Sequence, residues 1–234
     1  MALDPVQLAL STVTLSAPLA LAAIAGYMSE RSGVINIALE GKMLTAAFAC
    51  FAASTNFGKE LLPPDPIADG KTLPLQLFYV LACAVPVAVM VWSAKTRAGL
   101  RLRAVGSDPD KARLVGVNPL TVRFSALIIT GVLTGLAGSL LVTETRNFTD
   151  GMTAGRGYIA LAALILGGWR PVPALLATIL FGFASAVQIQ LKGTELAGAN
   201  IPSGVWSMLP YLVTLIALAG FVGKQRTPGG LGKV

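Results

Sequence analysis

The sequence has no histidine and only two cysteines, Cys50 and Cys83, both of which fall in apolar stretches. Zinc and haem sites need clusters of such ligands at short spacing, so we expect this chain to bind no metal or other cofactor. The phosphate-binding pattern G-x-x-x-x-G-K-[ST] is also missing, so any ATP hydrolysis must come from a partner. The paired aspartates or Ser/His dyad of an intramembrane enzyme are missing too. We therefore do not expect an enzyme.

Charge is scarce as well: 12% of the residues are charged and 54% are hydrophobic, which is too apolar for a soluble domain. A helix that crosses a bilayer needs about 20 apolar residues. We predict an all-α fold, a polytopic transmembrane bundle with about six full spans, one re-entrant or half-helix and a short cytoplasmic helix. The apolar segments lie near residues 6–28, 34–55, 75–94, 123–143, 158–169, 171–191 and 204–223.

Small residues indicate that these helices pack closely. Gly131, Gly135 and Gly138 lie in "TGVLTGLAGSLL" and include a G-x-x-x-G pair. Such pairs let helix backbones approach each other in lipid. We therefore expect this face of the segment to contact another helix.

Two apolar segments do not fit simple spans. "GYIALAALILGG", residues 157–168, would reach only about 18 Å as a helix, so it predicts a half-helix. In "GVINIALEGK", residues 33–42, a helix would place Asn36 and Glu40 on one face, four residues apart. "GVINIA" and "GYIALA" share a pattern, and related broken elements in two halves of a chain are typical of transporters with internal repeats.

The broken segments hold the candidate residues of a translocation path, because polar side chains at such depth usually face the bundle interior or water. Two alternatives stay open. Asn36 and Glu40 could instead form a structural pair that fixes helix packing. Arg156 and Arg170 could instead lie at the membrane interface. The path candidates are Asn36, Glu40, Thr153, Arg156 and Tyr158.

The distribution of charge predicts the orientation. Residues 95–123 hold seven basic and two acidic residues, a net charge of +5 out of +7 for the whole chain. The positive-inside rule places this loop, the basic residues 224–234 and the turn at residues 29–33 in the cytoplasm. It places the N-terminus and residues 56–74 outside. The positive-inside rule alone accounts for the positive charge of this loop. We therefore expect the chain to lie in a lipid bilayer and to bind no nucleic acid.

The basic loop also contains a well-capped short helix in "GLRLRAVGSDPDKARLVGVNP", residues 99–119. Asp108 is a good N-cap, Pro109 suits the first helical position and Gly116 ends the helix. Ala112 and Val115 share one side, which would be the docking face for a cytoplasmic partner. The predicted docking helix comprises Asp108, Pro109, Asp110, Lys111, Ala112, Arg113, Leu114, Val115 and Gly116.

Three stretches carry a family resemblance: "SERSGVINIALEGKML", the basic loop just quoted, and "TAGRGYIALAALILGGWRPVPALLATILFGFASAVQIQL". They resemble the permease subunit of bacterial ABC importers for nucleosides and simple sugars, a group that includes ribose and branched-chain amino acid permeases. The resemblance implies that residues 1–234 form one permease domain in the bacterial inner membrane. It also implies that the docking helix is a coupling helix.

The resemblance further implies three partner proteins. They are a cytoplasmic ATPase that uses ATP and magnesium, a second homologous permease and an extracytoplasmic substrate-binding lipoprotein. Family members are usually longer between the first motif and the coupling loop, so we expect this chain to be shortened there. If two spans are absent, the alternation of sides is kept, in agreement with the charge pattern.

The function predicted on this basis is that of a permease subunit of an ATP-driven, binding-protein-dependent importer, with nucleosides as the substrate class. One alternative is a permease for another small solute, such as a ribose-like sugar, riboflavin or a branched-chain amino acid. Another is an ion-coupled secondary transporter, which needs relay residues within several spans. Only Glu40 is a candidate relay residue.

Overall fold

A computed structural model describes residues 5–57, 73–145, 147–192, 203–221 and 227–232. All regular secondary structure in these ranges is helical, which confirms the all-α prediction. The helices are α1 (Pro5–Arg31), α2 (Leu39–Phe57), α3 (Leu73–Lys95), α4 (Arg97–Ser107), α5 (Pro109–Leu114), α6 (Pro119–Thr145), α7 (Arg156–Leu166), α8 (Pro171–Leu191), α9 (Ser203–Ser207) and α10 (Leu209–Phe221).

Among the described residues, α1, α6 and α8 are long and apolar enough to cross a membrane. Shorter apolar helices are the second part of α3 (Ala82–Lys95), α7 and the stretch Gly204–Ala217. The number of spans stays a prediction. The expected segment 204–223 is divided by Met208 into α9 and α10. Most of the predicted outer loop, residues 56–74, lies outside the described residues, as do residues 224–226 and 233–234.

Helix α1 lies at the centre of the bundle and packs against α3, α6, α7 and α8. Its first turns are largely exposed, whereas nearly the whole circumference is buried from residue 16 to residue 30. Alanines fill much of this buried part, and four of them are fully inaccessible: Ala17, Ala22, Ala23 and Ala25. Small side chains let neighbouring helix axes come close, so α1 can be enclosed on all sides.

The contact predicted from the glycines of α6 forms at only one of them. A Cβ at Gly138 would collide with the main-chain oxygen of Met43 in α2, so these two backbones touch. Gly131 and Gly135 face open space. The G-x-x-x-G pair therefore makes no contact within the described part of the chain, and α2 packs one turn further along α6.

The predicted half-helix is present as α7, whose 11 residues span about 16 Å. It ends at Leu166 with Gly167 as its C-cap, and a turn then leads into α8. Since a bilayer core is about 30 Å thick, α7 reaches only about halfway through such a layer.

The expectation that Asn36 and Glu40 share one helix face is wrong. Residues 34–37 are not helical, and α2 begins only at Leu39. Gly33 has a left-handed φ of 94° that breaks the chain direction, and three β-branched residues follow it in this stretch, a type with reduced helix propensity. "GVINIA" is thus non-helical while "GYIALA" is helical, so their similar letters do not reflect a common conformation.

The basic loop contains two helices instead of one. Helix α4 was not predicted; its N-cap Thr96 accepts a hydrogen bond from the Gly99 amide, and Leu102 and Val105 lie on its buried side. The capped helix that was predicted is α5. Asp108 accepts from the amides of Asp110 and Lys111, as an N-cap should.

Candidate functional site

The first candidate site is a junction between the first turn of α2 and the N-terminus of the half-helix α7. Glu40 Oε1 accepts a hydrogen bond from the Gly155 amide at 2.8 Å, and Oε2 accepts one from the Gly157 amide at 2.6 Å. A carboxylate at this position complements the positive end of the helix dipole. The side chain of Glu40 therefore connects the first turn of α2 to the N-terminus of α7.

The backbone at this junction leaves no space for a larger residue. A Cβ at Gly157 would lie 2.6 Å from the Glu40 amide nitrogen, far inside normal contact distance. Ala154 and Gly155 both have positive φ angles, of 44° and 75°, and this turn aims the amides at Glu40. Tyr211 of α10 donates a hydrogen bond to the Ala154 carbonyl at 3.0 Å, which supports the turn from the other side.

The structure brings some of the path candidates together and not others. Thr153 is buried, and its carbonyl accepts from the Arg156 amide at 2.9 Å, so both belong to the junction that Glu40 caps. Asn36 instead donates to Ser29 Oγ at 3.3 Å. Tyr158 has 57% of its surface exposed. A role for these residues in translocation stays a prediction.

The alternative of an Asn36–Glu40 pair is also not what the structure contains. Asn36 Oδ1 accepts a hydrogen bond from the Lys42 ammonium at 3.4 Å, and Glu40 bonds to the α7 turn. Both side chains are thus satisfied by different partners. Arg156 is partly buried and interacts electrostatically with Glu144, whereas Arg170 is exposed at the start of α8.

The second candidate site is at one end of the bundle, which we call the basic end. It comprises the turn at residues 29–33, helices α4 and α5, the first turns of α6, and residues 227–232. Arg123 of α6 donates to the Ser32 carbonyl at 3.4 Å. The Gly230 amide donates to the Gly106 carbonyl at 2.9 Å. Three regions that the charge pattern assigns to one side of the membrane are therefore adjacent.

Helix α5 lies on the surface of the basic end and is held by local charges. Lys111 Nζ lies 3.1 Å from Asp108 Oδ2, and Arg113 lies 3.7 Å from Asp110. The pKa of Asp108 lies below its usual value, first because the Lys111 amide donates to the carboxylate and then because of the Lys111 side chain. These contacts are exposed, so they define the helix end and add little to overall stability.

The docking face expected from Ala112 and Val115 is wrong for Ala112, and the two residues do not share one side. Ala112 is 3% exposed and packs against the protein, whereas Leu114 and Val115 are 87% and 76% exposed. Val115 is the C-cap, and its ψ of 17° takes it out of the helical repeat. The pair that projects from the basic end is therefore Leu114 and Val115.

Comparison with known proteins identifies the type of molecule. The profile of the family described as "Branched-chain amino acid transport system / permease component" matches residues 8–92 and 65–218. The chain belongs to this family. The resemblance seen in its three sequence stretches is thereby confirmed.

Several curated relatives of this permease component carry transport names. The guanosine ABC transporter permease protein NupQ of Bacillus subtilis is 29% identical over 296 positions, covering 93% of this chain and 92% of NupQ. The nucleoside ABC transporter permease protein NupC of Lactococcus lactis is 29% identical over 291 positions, covering 91% of each chain. The putative glucose ABC transporter permease protein TsgC13 of Haloferax volcanii is 34% identical, covering 60% of this chain and 47% of TsgC13. No solved structure matches the chain.

This permease component is shorter internally than these relatives. The alignment with NupQ runs over 296 positions, although the whole chain has 234 residues, so part of NupQ has no counterpart here. The profile matches in two pieces that overlap at residues 65–92, next to the stretch where the motifs predict a shortening.

Sequence reasoning missed two further acidic residues of the permease component. Glu30 Oε2 accepts a hydrogen bond from Trp169 Nε1 at 2.5 Å, and Glu144 Oε1 accepts one from the Tyr79 hydroxyl at 3.0 Å. Glu30 lies two positions after the predicted apolar segment 6–28, and Glu144 lies one position after the segment 123–143. An acidic residue directly after an apolar segment was the sequence signal that could have identified both. Within the described part of the chain, no three His, Cys, Asp or Glu side chains are placed to bind a metal.

Proposed function

We propose that this chain is the membrane permease subunit of an ATP-driven, binding-protein-dependent importer, with several spans in a bacterial inner membrane. The observation that carries the proposal is the capped helix α5, which projects an apolar pair from the basic end of a protein in a transport permease family. A cytoplasmic ATPase, a second homologous permease and a substrate-binding lipoprotein complete the importer.

In this proposal α5 is the coupling helix, and Leu114 and Val115 insert into an apolar groove of the ATPase. Exposed apolar side chains at the tip of a short, rigid helix are what a docking contact requires, since they are buried only in the complex. Asp108 and Pro109 define the helix start, so the pair is presented in one orientation. The burial of Ala112 fixes α5 to the permease body, so that movement of the ATPase is passed to the spans.

The junction at Glu40 is proposed to border the translocation path. Broken helices whose N-termini meet inside a bundle are typical of substrate sites in transporters. Here the first turn of α2 meets the N-terminus of α7, where Glu40 accepts hydrogen bonds from the Gly155 and Gly157 amides. A rearrangement that separates Glu40 from the Gly155 and Gly157 amides would open a gap between the two elements.

Nucleosides are the proposed substrate class. Two relatives named for guanosine and nucleoside transport align over more than 90% of this chain and of their own length, whereas the glucose permease aligns over less than half of itself. Uptake of labelled guanosine into cells that express the whole importer, in competition with unlabelled nucleosides, ribose and leucine, tests this class. Absence of ATP-dependent guanosine uptake, in cells that do take up labelled ribose or leucine through this importer, would contradict it.

The coupling role is tested by changing the tip of α5 while keeping its helix. Leu114→Asp places a charge in the docking contact, so we expect loss of ATPase co-purification and of ATP-dependent uptake at normal membrane abundance. Leu114→Met keeps an apolar side chain of similar volume and should retain both. Normal co-purification and uptake by Leu114→Asp would refute the coupling role of α5.

A further inference from the structure

A short segment at residues 227–232, which we call the anchor segment, runs between two functional parts of the basic end. The Gly230 amide donates to the Gly106 carbonyl at 2.9 Å, in the last turn of α4 and two residues before the α5 cap. The Gly232 amide donates to the Gly33 carbonyl, also at 2.9 Å, in the turn before α2. The segment is therefore bonded on one side to the base of α5 and on the other to the α1–α2 turn.

The anchor segment is closely packed as well as hydrogen-bonded. A Cβ at Gly230 would lie 3.0 Å from the Gly106 carbonyl oxygen and 3.1 Å from Pro109 Cδ, the first residue of α5. A Cβ at Gly229 would lie 3.0 Å from the Ser107 carbonyl oxygen. Leu231 packs against the main hydrophobic core. A segment that only covered the surface would not need glycine backbone in contact with the first turn of α5.

The place where the anchor segment ends also matters. Gly33 is followed by the non-helical residues 34–37 and then by α2, whose first turn holds Glu40. A Cβ at Gly33 would lie 3.0 Å from the Gly230 carbonyl oxygen. Gly33 therefore contacts the anchor segment at Gly230 as well as at Gly232. A continuous set of contacts thus leads from α5 through the anchor segment to the non-helical stretch before α2, whose first turn holds Glu40.

We propose that the anchor segment is part of the coupling apparatus: it clamps the base of α5 to the α1–α2 turn, so that displacement of α5 moves the stretch leading to Glu40. This inference rests on the proposed coupling role of α5. Gly106 also touches the Arg31 carbonyl directly, which gives the base of α5 one contact that is independent of the clamp. Loss of the clamp therefore weakens transmission while α5 stays attached to the bundle.

The test is Gly230→Val in the assembled importer, reconstituted in vesicles with its ATPase and binding protein. The added side chain cannot fit beside Gly106 and Pro109, so the clamp is displaced. Gly131→Val is the matched control, because it makes the same substitution at a glycine of α6 that faces open space. Substrate taken up per ATP hydrolysed should fall about tenfold in Gly230→Val, a typical size for coupling between sites, and stay unchanged in Gly131→Val.

The ratio of uptake to hydrolysis separates a coupling role from a stabilising one. If the anchor segment only stabilised the fold, both rates would fall together with abundance, and an unchanged ratio in Gly230→Val would overturn the inference. Failure of the proposed function itself is distinguishable, because the unsubstituted importer would then show no ATP-driven uptake.

A disulfide provides a second, reversible measurement. The Ser107→Cys/Gly229→Cys pair, in a Cys50→Ala/Cys83→Ala background, should cross-link on mild oxidation, since these backbones are in contact. Because the clamp transmits movement while it is closed, the cross-linked importer should keep its uptake per ATP hydrolysed. Loss of uptake on cross-linking, restored by reduction, would show that the two segments must separate during transport and would also overturn the inference.

Discussion

Glu40 accepts two backbone amides with its two carboxylate oxygens, and no neutral side chain of the same length can do this. Position 40 therefore needs an acid for structural reasons, whether or not the side chain meets a substrate. Sequence reasoning identified the residue because an acid near the start of an apolar run is conspicuous. Its partners lie 115 and 117 positions further along the chain, and nothing local indicates them.

We expect Glu40→Ala to lower the melting temperature of the purified permease, because it leaves two amides without a partner at the start of α7. Each lost bond to a charged acceptor is worth about 1–3 kcal/mol. Glu40→Gln should be intermediate, since its single carbonyl replaces one acceptor. Thermal unfolding in detergent, followed by size-exclusion chromatography, measures the effect. Asp150→Ala, at an exposed acid, is the control. Equal melting temperatures of Glu40→Ala and Asp150→Ala would argue against Glu40 as the cap of α7.

Two glycines allow a matched comparison of packing. Gly157→Ala places a Cβ against the Glu40 backbone, which cannot move aside, so we expect destabilisation of about 1–3 kcal/mol. Gly131→Ala faces open space in the middle of α6 and should be neutral or stabilising by up to about 1 kcal/mol. The same thermal assay compares them. A reversed order of the two melting temperatures would show that α2 and α7 do not touch at residue 157.

At the scale of elements, the cap of α5 is predictable because it depends on neighbours in sequence. Asp108, Pro109 and Gly116 indicate a start and an end, and the structure has both. The direction in which α5 points is a different matter. It depends on the packing of Pro109 and Ala112 against the bundle and on the departure of Val115 from the helical repeat. That is why Ala112, expected on the docking face, is buried, while Val115 projects beside Leu114.

The cap of α5 should be independent of pH in the physiological range. Hydrogen bonds from Lys111 lower the pKa of Asp108, so the stability that the cap contributes is present above the usual aspartate pKa and is lost only as the pH falls through the lowered one. Hydrogen exchange of the α5 amides in the full-length protein, corrected for intrinsic rates, should give equal protection at pH 5 and pH 8. Asp108→Asn, a cap that cannot ionise, is the control. Protection that is lost at pH 5 in the natural sequence but kept in Asp108→Asn would contradict the low pKa.

At the scale of the whole molecule, the structure agrees with the orientation that the charge pattern predicts. The turn at residues 29–33, the α4–α5 pair and residues 227–232 lie together at the basic end, as a shared cytoplasmic side requires. Helix α6 starts at this end and leads away from it for 27 residues, about 40 Å. Asn147, just beyond its far end, should therefore be on the opposite side of the membrane from Ser107.

Single cysteines test this orientation. Ser107→Cys and Asn147→Cys, each in a Cys50→Ala/Cys83→Ala background, replace exposed residues at the two ends. An impermeant maleimide should label Asn147→Cys in spheroplasts and Ser107→Cys only after the membrane is opened. Equal labelling of both in closed spheroplasts would refute the predicted orientation.

By itself the sequence determined that this is an all-helical membrane permease, that α7 is only half a span and that α5 is a capped helix. These properties follow from apolar run length, cap residues and motifs, which act over a few neighbouring positions. Only the tertiary structure decided that Glu40 caps α7, that Gly138 is the one glycine of the α6 motif that touches α2, that Leu114 and Val115 project, and that residues 227–232 clamp α5 to the α1–α2 turn. Each of these depends on contact between segments that are distant in sequence or on how an element is rotated against the core, and neither is encoded by local propensity.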